Sequence, residues 1–431
     1  MSGKKYFWTL AAVYMCYLTL GIQAIVISQN LDKFAAQWST DTAGVYNVIA
    51  YTGLARFLSV WICGELSNKI GRKLMIVIGA ILYLAFFDGL LKTTSLEIAI
   101  ICAFMGGLAT SFVDGACYPA VQESWTKAPN SAVILIKVVI SVSSLIYPLL
   151  VVSFRTAGTW QVGLIIPIVM SFIIFVLALI APYSYDDELR KKRAKRKELK
   201  AAGKEIAKLN ELDEGAQRAA ARIVKKPPFA VNIGCILFGF FAMAIMYSAQ
   251  QFLNRYGLTV AGMSDLKSAS LTSLFTFGSV FAVIVSMLMM AKFRWRTIKI
   301  LVIDLSGSVL AYVLLCTVPS DAIVQIAALA IGIFASGGAL QCGVSLMLEF
   351  HPGNKARNLG LYYTFMGLAS YTMPKIQSIF TKNFGEGQAI LYSLLVNFGL
   401  AVVGVVFIIY LATNYKRWFG VSVFSKKADI K

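Results

Sequence analysis

Long apolar stretches recur about twelve times along this chain, each roughly as long as the ~20 residues a helix needs to cross a bilayer. One charged break, Tyr185 to Pro228, lies near the middle. A soluble domain is about half apolar and a quarter charged, whereas these 431 residues are 58% hydrophobic and 14% charged. So many apolar side chains cannot share one buried core, and lipid must solvate a large part of them. The fold class that follows is all-α and integral to a membrane, with twelve transmembrane helices.

The spans read as 7–30, 43–64, 74–91, 96–122, 132–154 and 161–183, then 229–253, 267–291, 298–317, 322–347, 358–382 and 388–413. They define a six-helix bundle over 1–184, a linker over 185–228, a second six-helix bundle over 229–415 and a tail over 416–431.

The formal net charge is +19. It does not point to nucleic acid, because the basic residues sit in short loops between apolar spans. Arg190 to Lys226 hold 14 of the 40 Lys and Arg. Lys4, Lys5, Lys69, Arg72, Lys73, Lys127, Lys292, Arg294, Arg296, Lys355 and Arg357 fall on the same side, and Lys416, Arg417, Lys426 and Lys427 follow the last span. The opposite side has scattered charges such as Lys33, Lys92, Arg155 and Arg255. The positive-inside rule then places both termini in the cytoplasm and the chain in the cell membrane. The first apolar stretch is longer than a signal-peptide core and lacks a clear cleavage site, so it reads as a retained helix. The seven cysteines lie in apolar spans without CxxC spacing and read as packing residues. In the linker, Ile206, Leu209, Leu212, Ala216, Ala219 and Ile223 recur at helical steps. This predicts an amphipathic helix on the inner membrane surface or beneath the bundle; a regulatory partner site is the alternative.

The two halves repeat. With a shift of 226 residues (332 − 106), Gly106 falls on Gly332, Ala109 on Ala335 and Glu123 on Glu349. Ser144, Pro148 and Phe154 fall likewise on Ser370, Pro374 and Phe380. Parallel repeats of six spans place a solute site between the halves near mid-membrane.

Between the second and third spans runs Gly64-Glu65-Leu66-Ser67-Asn68-Lys69-Ile70-Gly71-Arg72-Lys73. It resembles the signature G-x-L-[AS]-D-[RK]-x-G-R-[RK] of the major facilitator superfamily. Asn68 stands where that family has Asp. The resemblance implies two six-helix bundles, secondary transport, and a conformational latch formed here by Gly64, Asn68, Gly71, Arg72 and Lys73. An uncharged Asn68 keeps the hydrogen bonding of that latch and loses its ionic part. In the fourth span, Asp114-Gly115-Ala116-Cys117-Tyr118-Pro119 is similar to a segment of the fucose–proton symporter branch. There an acid five residues before Pro carries the proton. Asp114 and Pro119 match, whereas Tyr118 replaces the branch's Asn, so the likeness does not carry its sugar specificity.

The residues point to Asp114 independently. A charge at the membrane centre costs roughly 2.5–3.5 kcal/mol on insertion scales, so it must face a cavity or a partner. Thr110, Asp114, Tyr118 and Gln122 recur every four residues and share one helix face. Arg56 and Lys137 sit at similar depths in the second and fifth spans and with Asp114 form a candidate buried charge cluster. Either Asp114 exchanges a proton as a cavity opens and closes, or it is a fixed counter-ion. The surplus positive charge also suits an anionic solute. Further candidates for solute recognition are Gln23 on the first span and Tyr247, Gln250, Gln251 and Asn254 on the seventh. Gln341 on the tenth and Tyr363 and Lys375 on the eleventh join them. Amides and phenols suit a hydroxylated solute. Lys375 has snorkelling as its alternative, and Asp88 and Asp304, near span ends, are expected to meet water or a loop cation.

No catalytic signature, phosphate-cradling loop or metal cluster is present, and the single histidine is His351. Neither an enzyme nor a cofactor is indicated. The expectation is a monomeric, proton-coupled symporter of a small polar solute, a sugar, polyol or organic acid, with protons and lipid as its other partners. A proton-driven exporter of amphipathic compounds is the alternative; it predicts a cavity rich in aromatic and Met residues. A membrane sensor signalling through the linker is the rival from another class.

Overall fold

The computed structural model describes residues 6–125, 129–190, 223–351 and 355–425, apart from the side chains of 129–134, 291, 341 and 355–357. Among them, ten helices are long and apolar enough to cross a membrane. They are Thr42–Ile70, Arg72–Lys92, Leu96–Ser124, Leu135–Thr156, Val162–Ile180, Phe229–Thr259, Asp265–Met290, Thr297–Thr317, Asp321–Phe350 and Glu386–Phe419. Two further helices complete the set of twelve. The eleventh span, Lys355–Phe384, is long but too polar to stand with the ten.

The first span is broken. Its helix Phe7–Gln23 gives way at Ala24 and Ile25, and Val26–Gln29 and Leu31–Gln37 continue it in short pieces. Irregular backbone at membrane depth survives only where protein or a cavity satisfies it. Here the Ala24 carbonyl accepts a hydrogen bond from Gln251 Nε2 of the seventh span at 2.7 Å. The tenth span is interrupted as well: residues Gly332–Gly338 form a π-helical segment between Asp321–Ile331 and Ala339–Phe350. The apolar pattern of the sequence predicted neither interruption.

Buried apolar side chains form two clusters. One draws on residues 13 to 183 together with Phe252, the other on residues 231 to 423. Each is the core of one six-helix bundle. Phe172, Ile180, Leu310 and Val406 are more than half exposed and point outward, where lipid replaces the missing neighbours. Of the predicted amphipathic helix in the linker, residues 191–222 lie outside the described residues. The chain re-enters at Ile223, and the backbone N–H groups of Val224 and Lys225 donate to the Trp418 carbonyl.

The halves meet chiefly where the second span lies along the eleventh. Glycines let the two backbones touch: a Cβ on Gly367 would sit 2.7 Å from the Phe57 nitrogen, and one on Gly53 would overlap the Ser370–Tyr371 peptide. Between apolar helices in lipid, such close contact supplies the van der Waals attraction that hydrophobic burial cannot. Gly360 repeats the theme against the Trp61 ring.

A test of this contact is Gly367→Val against Gly399→Val, a position where a Cβ meets nothing within 4 Å. The first is expected to cost about 1–3 kcal/mol through overpacking and lower the thermal midpoint of the purified protein; the second leaves it in place.

Candidate functional site

Arg56 sits at the middle of the second span, 14 residues from each end of Thr42–Ile70 (56 − 42 = 70 − 56). At that depth a cation needs an anion, and the fourth span supplies one. Arg56 Nη2 donates to Asp114 Oδ2 at 3.3 Å, with the two side chains 27% and 19% exposed. Gly107 and Gly115 let the second and fourth spans approach: a Cβ at Gly107 would overlap the Thr52 carbonyl, and one at Gly115 would crowd the Cys63 carbonyl at 2.9 Å. Next to the pair, Ser59 Oγ and Ser111 Oγ are hydrogen-bonded at 2.8 Å.

Arg56 faces a small pocket between the halves. The first span contributes Gln23 and Ala24, the second Thr52 and Arg56, the seventh Tyr247 and Gln251, and the eleventh Ser370, with Leu20, Ile27 and Ile49 as apolar wall. Gln23 is held in place by Thr110, whose hydroxyl donates to its Oε1 at 3.3 Å. The cavity thus gathers amide, hydroxyl and guanidinium groups among apolar side chains. Asp114 stands behind Arg56 and reaches the cavity through it.

The predicted residues divide. Gln23, Arg56, Tyr247 and Gln251 line the cavity, and Asp114 is one contact away. Tyr118 and Tyr363 lie within electrostatic reach of Asp114. Lys137 does not join the charge cluster: among the described residues no anion pairs with it, and Asp114 is taken by Arg56. Gln122 is exposed, near the end of its helix, and Gln250 is half-buried; neither lines the cavity. The side chain of Gln341 lies outside the described residues. Asn254 and Lys375 bridge the halves instead: Asn254 Nδ2 donates to Gln29 Oε1 at 2.8 Å, and Lys375 Nζ to Asn47 Oδ1 at 2.6 Å. Thr52, which shares a helix face with Arg56, belongs to the site, and so does Tyr17, which was not singled out by sequence. Tyr17 lies beside Asp114 and packs edge-on against Tyr118 at 5.4 Å between ring centroids. Its place on the broken first span gave no polar stripe to find it by.

Charged residues that read as scattered loop charges also cross between halves, all at the face opposite the termini. Arg255 Nη1 donates to Asp32 Oδ2 at 2.7 Å, and Arg255 also pairs with Glu386 of its own half. Arg155 Nη2 donates to Asp265 Oδ1 at 2.8 Å. Gln29 Nε2 to Thr272 Oγ1 at 3.2 Å and Ser273 Oγ to the Leu145 carbonyl at 2.7 Å add to this seam. On the face that carries the termini, each half keeps a triad to itself. Arg72 donates to Glu123 Oε1 at 3.0 Å and stacks on the Tyr185 ring at 4.0 Å. In the second half Arg296 Nη1 donates to the Tyr415 hydroxyl at 3.2 Å, and that hydroxyl donates to Glu349. Glu123 and Glu349 are the pair matched by the internal repeat. Asn68, the departure from the latch signature, accepts from Arg72 Nη1 at 3.1 Å inside its own half. Asp186 accepts from the backbone N–H groups of Arg72 and Lys73 at 2.7 and 2.8 Å, which caps the third span.

Two predictions follow from these contacts. Gly71 has φ +102°, and a Cβ there would strike the Asp186 carboxylate, whereas a Cβ on Gly64 meets nothing within 4 Å. Gly71→Ala is therefore expected to cost roughly 1–3 kcal/mol and Gly64→Ala less than about 0.5 kcal/mol, read as thermal midpoints. Removing one member of the central ion pair strands the other. Arg56→Gln or Asp114→Asn alone is expected to destabilise by up to about 3 kcal/mol. The double variant should recover most of that loss, a coupling that a double-mutant cycle measures.

A sequence model of the Major Facilitator Superfamily matches residues 7–374. The Inner membrane transport protein YdiN of Escherichia coli (strain K12) is 29% identical, over 97% of this chain and 94% of that one. The Multidrug transporter MdfA of Edwardsiella ictaluri (strain 93-146) is 31% identical over 37% of this chain and 38% of its own. Among solved structures, the xylose transporter XylE from E. coli superposes with a TM-score of 0.69 at 14% identity, covering 94% of this chain and 98% of that one.

Proposed function

The chain belongs to the Major Facilitator Superfamily, and on that premise we propose that this transporter is a proton-coupled symporter of a small polar solute, a sugar, a polyol or an organic acid. One observation carries the proposal: the Arg56–Asp114 pair at 3.3 Å stands at the wall of a cavity lined by Gln23, Thr52, Tyr247 and Gln251. A carboxylate neutralised by a single cation is poised to exchange that cation for a proton. When Arg56 turns to a solute oxygen in the cavity, Asp114 loses its partner and takes up a proton. When the solute leaves, the pair re-forms and the proton goes. Coupling follows because each ligand removes the cost of binding the other.

Alternating access supplies the movement. In this proposal residues 1–184 and 229–415 rock as two bodies about the linker 185–228, and the chain acts as a monomer. The face with the termini carries Lys69, Lys73, Arg294 and the triads, so the positive-inside rule assigns it to the cytoplasm. The seam of Arg155, Arg255, Asn254 and Lys375 then closes the outer face. The state described is the one that has shut to the outside, and outward opening requires these contacts to break.

A proton-driven exporter of amphipathic compounds is the second reading, favoured by the partial likeness to the multidrug transporter MdfA. Against it, the cavity wall holds one aromatic ring and no methionine.

Purified protein in liposomes decides. Solutes from each class are added and proton movement is followed with a pH dye. The expected result is proton uptake with one class of polar solute, abolished in Asp114→Asn, while exchange of labelled solute for unlabelled solute persists. Proton movement that survives in Asp114→Asn would make Asp114 a structural counter-ion. Proton release with amphipathic cations would establish the exporter.

A further inference from the structure

A second carboxyl is buried in the C-terminal half, and its surroundings are unlike those of Asp114. Asp304 lies seven residues into the ninth span Thr297–Thr317, about 10 Å along the helix at 1.5 Å per residue. The sequence suggested water or a loop cation beside it. Instead it is 7% exposed, its Oδ2 has no hydrogen-bond partner, and no cation pairs with it among the described residues.

What it meets is the interrupted tenth span. The carboxyl group is seated against Gly338, the last residue of the π-helical segment; a Cβ there would overlap Oδ2 and lie 2.5 Å from the carboxyl carbon. Glycine therefore makes the cradle. On other faces of the same segment, a Cβ on Gly332 or Gly337 would strike backbone of the eighth span, and Ser336 Oγ bonds to Ser279 Oγ at 2.8 Å. The eighth span in turn meets the N-terminal half through Thr272 and Ser273.

Among the described residues, the charged groups near Asp304 are engaged elsewhere. On its own helix, Arg296 is bonded to Tyr415 and Lys299 lies over the Trp295 ring. On the tenth span, Glu349 accepts from Tyr415, Asp321 pairs with Lys267 at the far end, and the titratable neighbour is the Cys342 thiol. On the twelfth, Glu386 is bound to Arg255 at the outer face, and Lys416 and Arg417 sit in the last turn. An ionised carboxylate in such a place would have neither cation nor donor, the arrangement that buried charges do not tolerate. π-Helical segments inside α-helices recur at functional sites, and a return to α-helical register would move the residues that flank this one.

We propose that Asp304 is a proton-binding site of the C-terminal half, which holds its proton against Gly338 in this state and releases it to water when the π-helical segment of the tenth span shifts. The release breaks only the carboxyl O–H bond and leaves the electron pair on the carboxylate. For the use of that proton in coupling, the inference rests on the symport reading above; for its binding it does not.

The test is infrared difference spectroscopy on the purified protein in lipid, native against Asp304→Asn and Asp114→Asn, in sodium-free and sodium-containing buffer. The expected result is a carboxylic-acid C=O band at neutral pH that disappears in Asp304→Asn, persists in Asp114→Asn and is lost on alkaline titration. Gly338→Ala, which fills the cradle, is expected to shift or abolish the same band and serves if Asp304→Asn fails to fold. Identical native and Asp304→Asn spectra would overturn the proposal. So would a band that appears only when sodium is withdrawn, since Asp304 would then hold a metal cation. Absence of solute-driven proton movement with the band intact would refute the symport reading and leave this one standing.

Discussion

A charge inside hydrocarbon must be paired, and the joining of Arg56 to Asp114 satisfies that requirement at the centre of this molecule. Each residue alone would penalise its helix; together they tie the second span to the fourth and place a guanidinium at the cavity wall. Small residues make the pairing possible. Gly107 and Gly115 bring the two helices within reach, and Gly53 and Gly367 bring the eleventh span against the second. Packing and electrostatics therefore specify the same arrangement. Bulk at a glycine would move the ion pair, and loss of the ion pair would leave the glycine contacts holding a stranded charge.

The two faces are built differently. At the face away from the termini, Arg255, Arg155, Asn254 and Lys375 reach across from one half to the other. Arg255 is 13% exposed and answers two carboxylates, so water and salt screen it less than a surface pair. At the termini face, the Arg72 and Arg296 triads are internal to their halves. Each joins the start of the third helix of a bundle to the end of the fourth and to a tyrosine in the last turns of the sixth (Tyr415) or just beyond it (Tyr185), which stiffens a bundle without fixing it to its partner. Hydrogen bonds across the seam are individually modest, about 0.5–1.5 kcal/mol each. A handful is comparable to the few kcal/mol that separate alternating states in such equilibria.

The sequence made much of this legible. Apolar length and loop charge indicated twelve helices and their common side, and the shift of 226 residues indicated two like halves. The Gly64–Lys73 turn carried the family. Helical periodicity put Asp114 and Arg56 at matching depths, and the pair exists. It put Lys137 there too, but depth along a helix does not specify which way the helix is turned about its axis, and among the described residues Lys137 forms no ion pair with Asp114. Asp304 was misjudged for a related reason: distance from a span end says nothing of whether the neighbouring helix covers the site. The first and tenth spans read as continuous because apolar composition is blind to a broken or π-helical turn.

From the sequence alone came what is local or summed along the chain: how many helices cross, which loops share a side, which residues lie deep, and which family signature joins the second span to the third. Tertiary structure alone decided which deep residues face one another. It separated Gln23 and Gln251 at the cavity from Gln122 outside it, turned the lone charges Arg155 and Arg255 into struts, and set Asp304 against a glycine with no partner among the described residues. The physical reason is that hydrophobicity fixes a helix's place across the membrane but leaves its rotation free. That rotation is set by where small residues let backbones touch and by which charge finds its opposite.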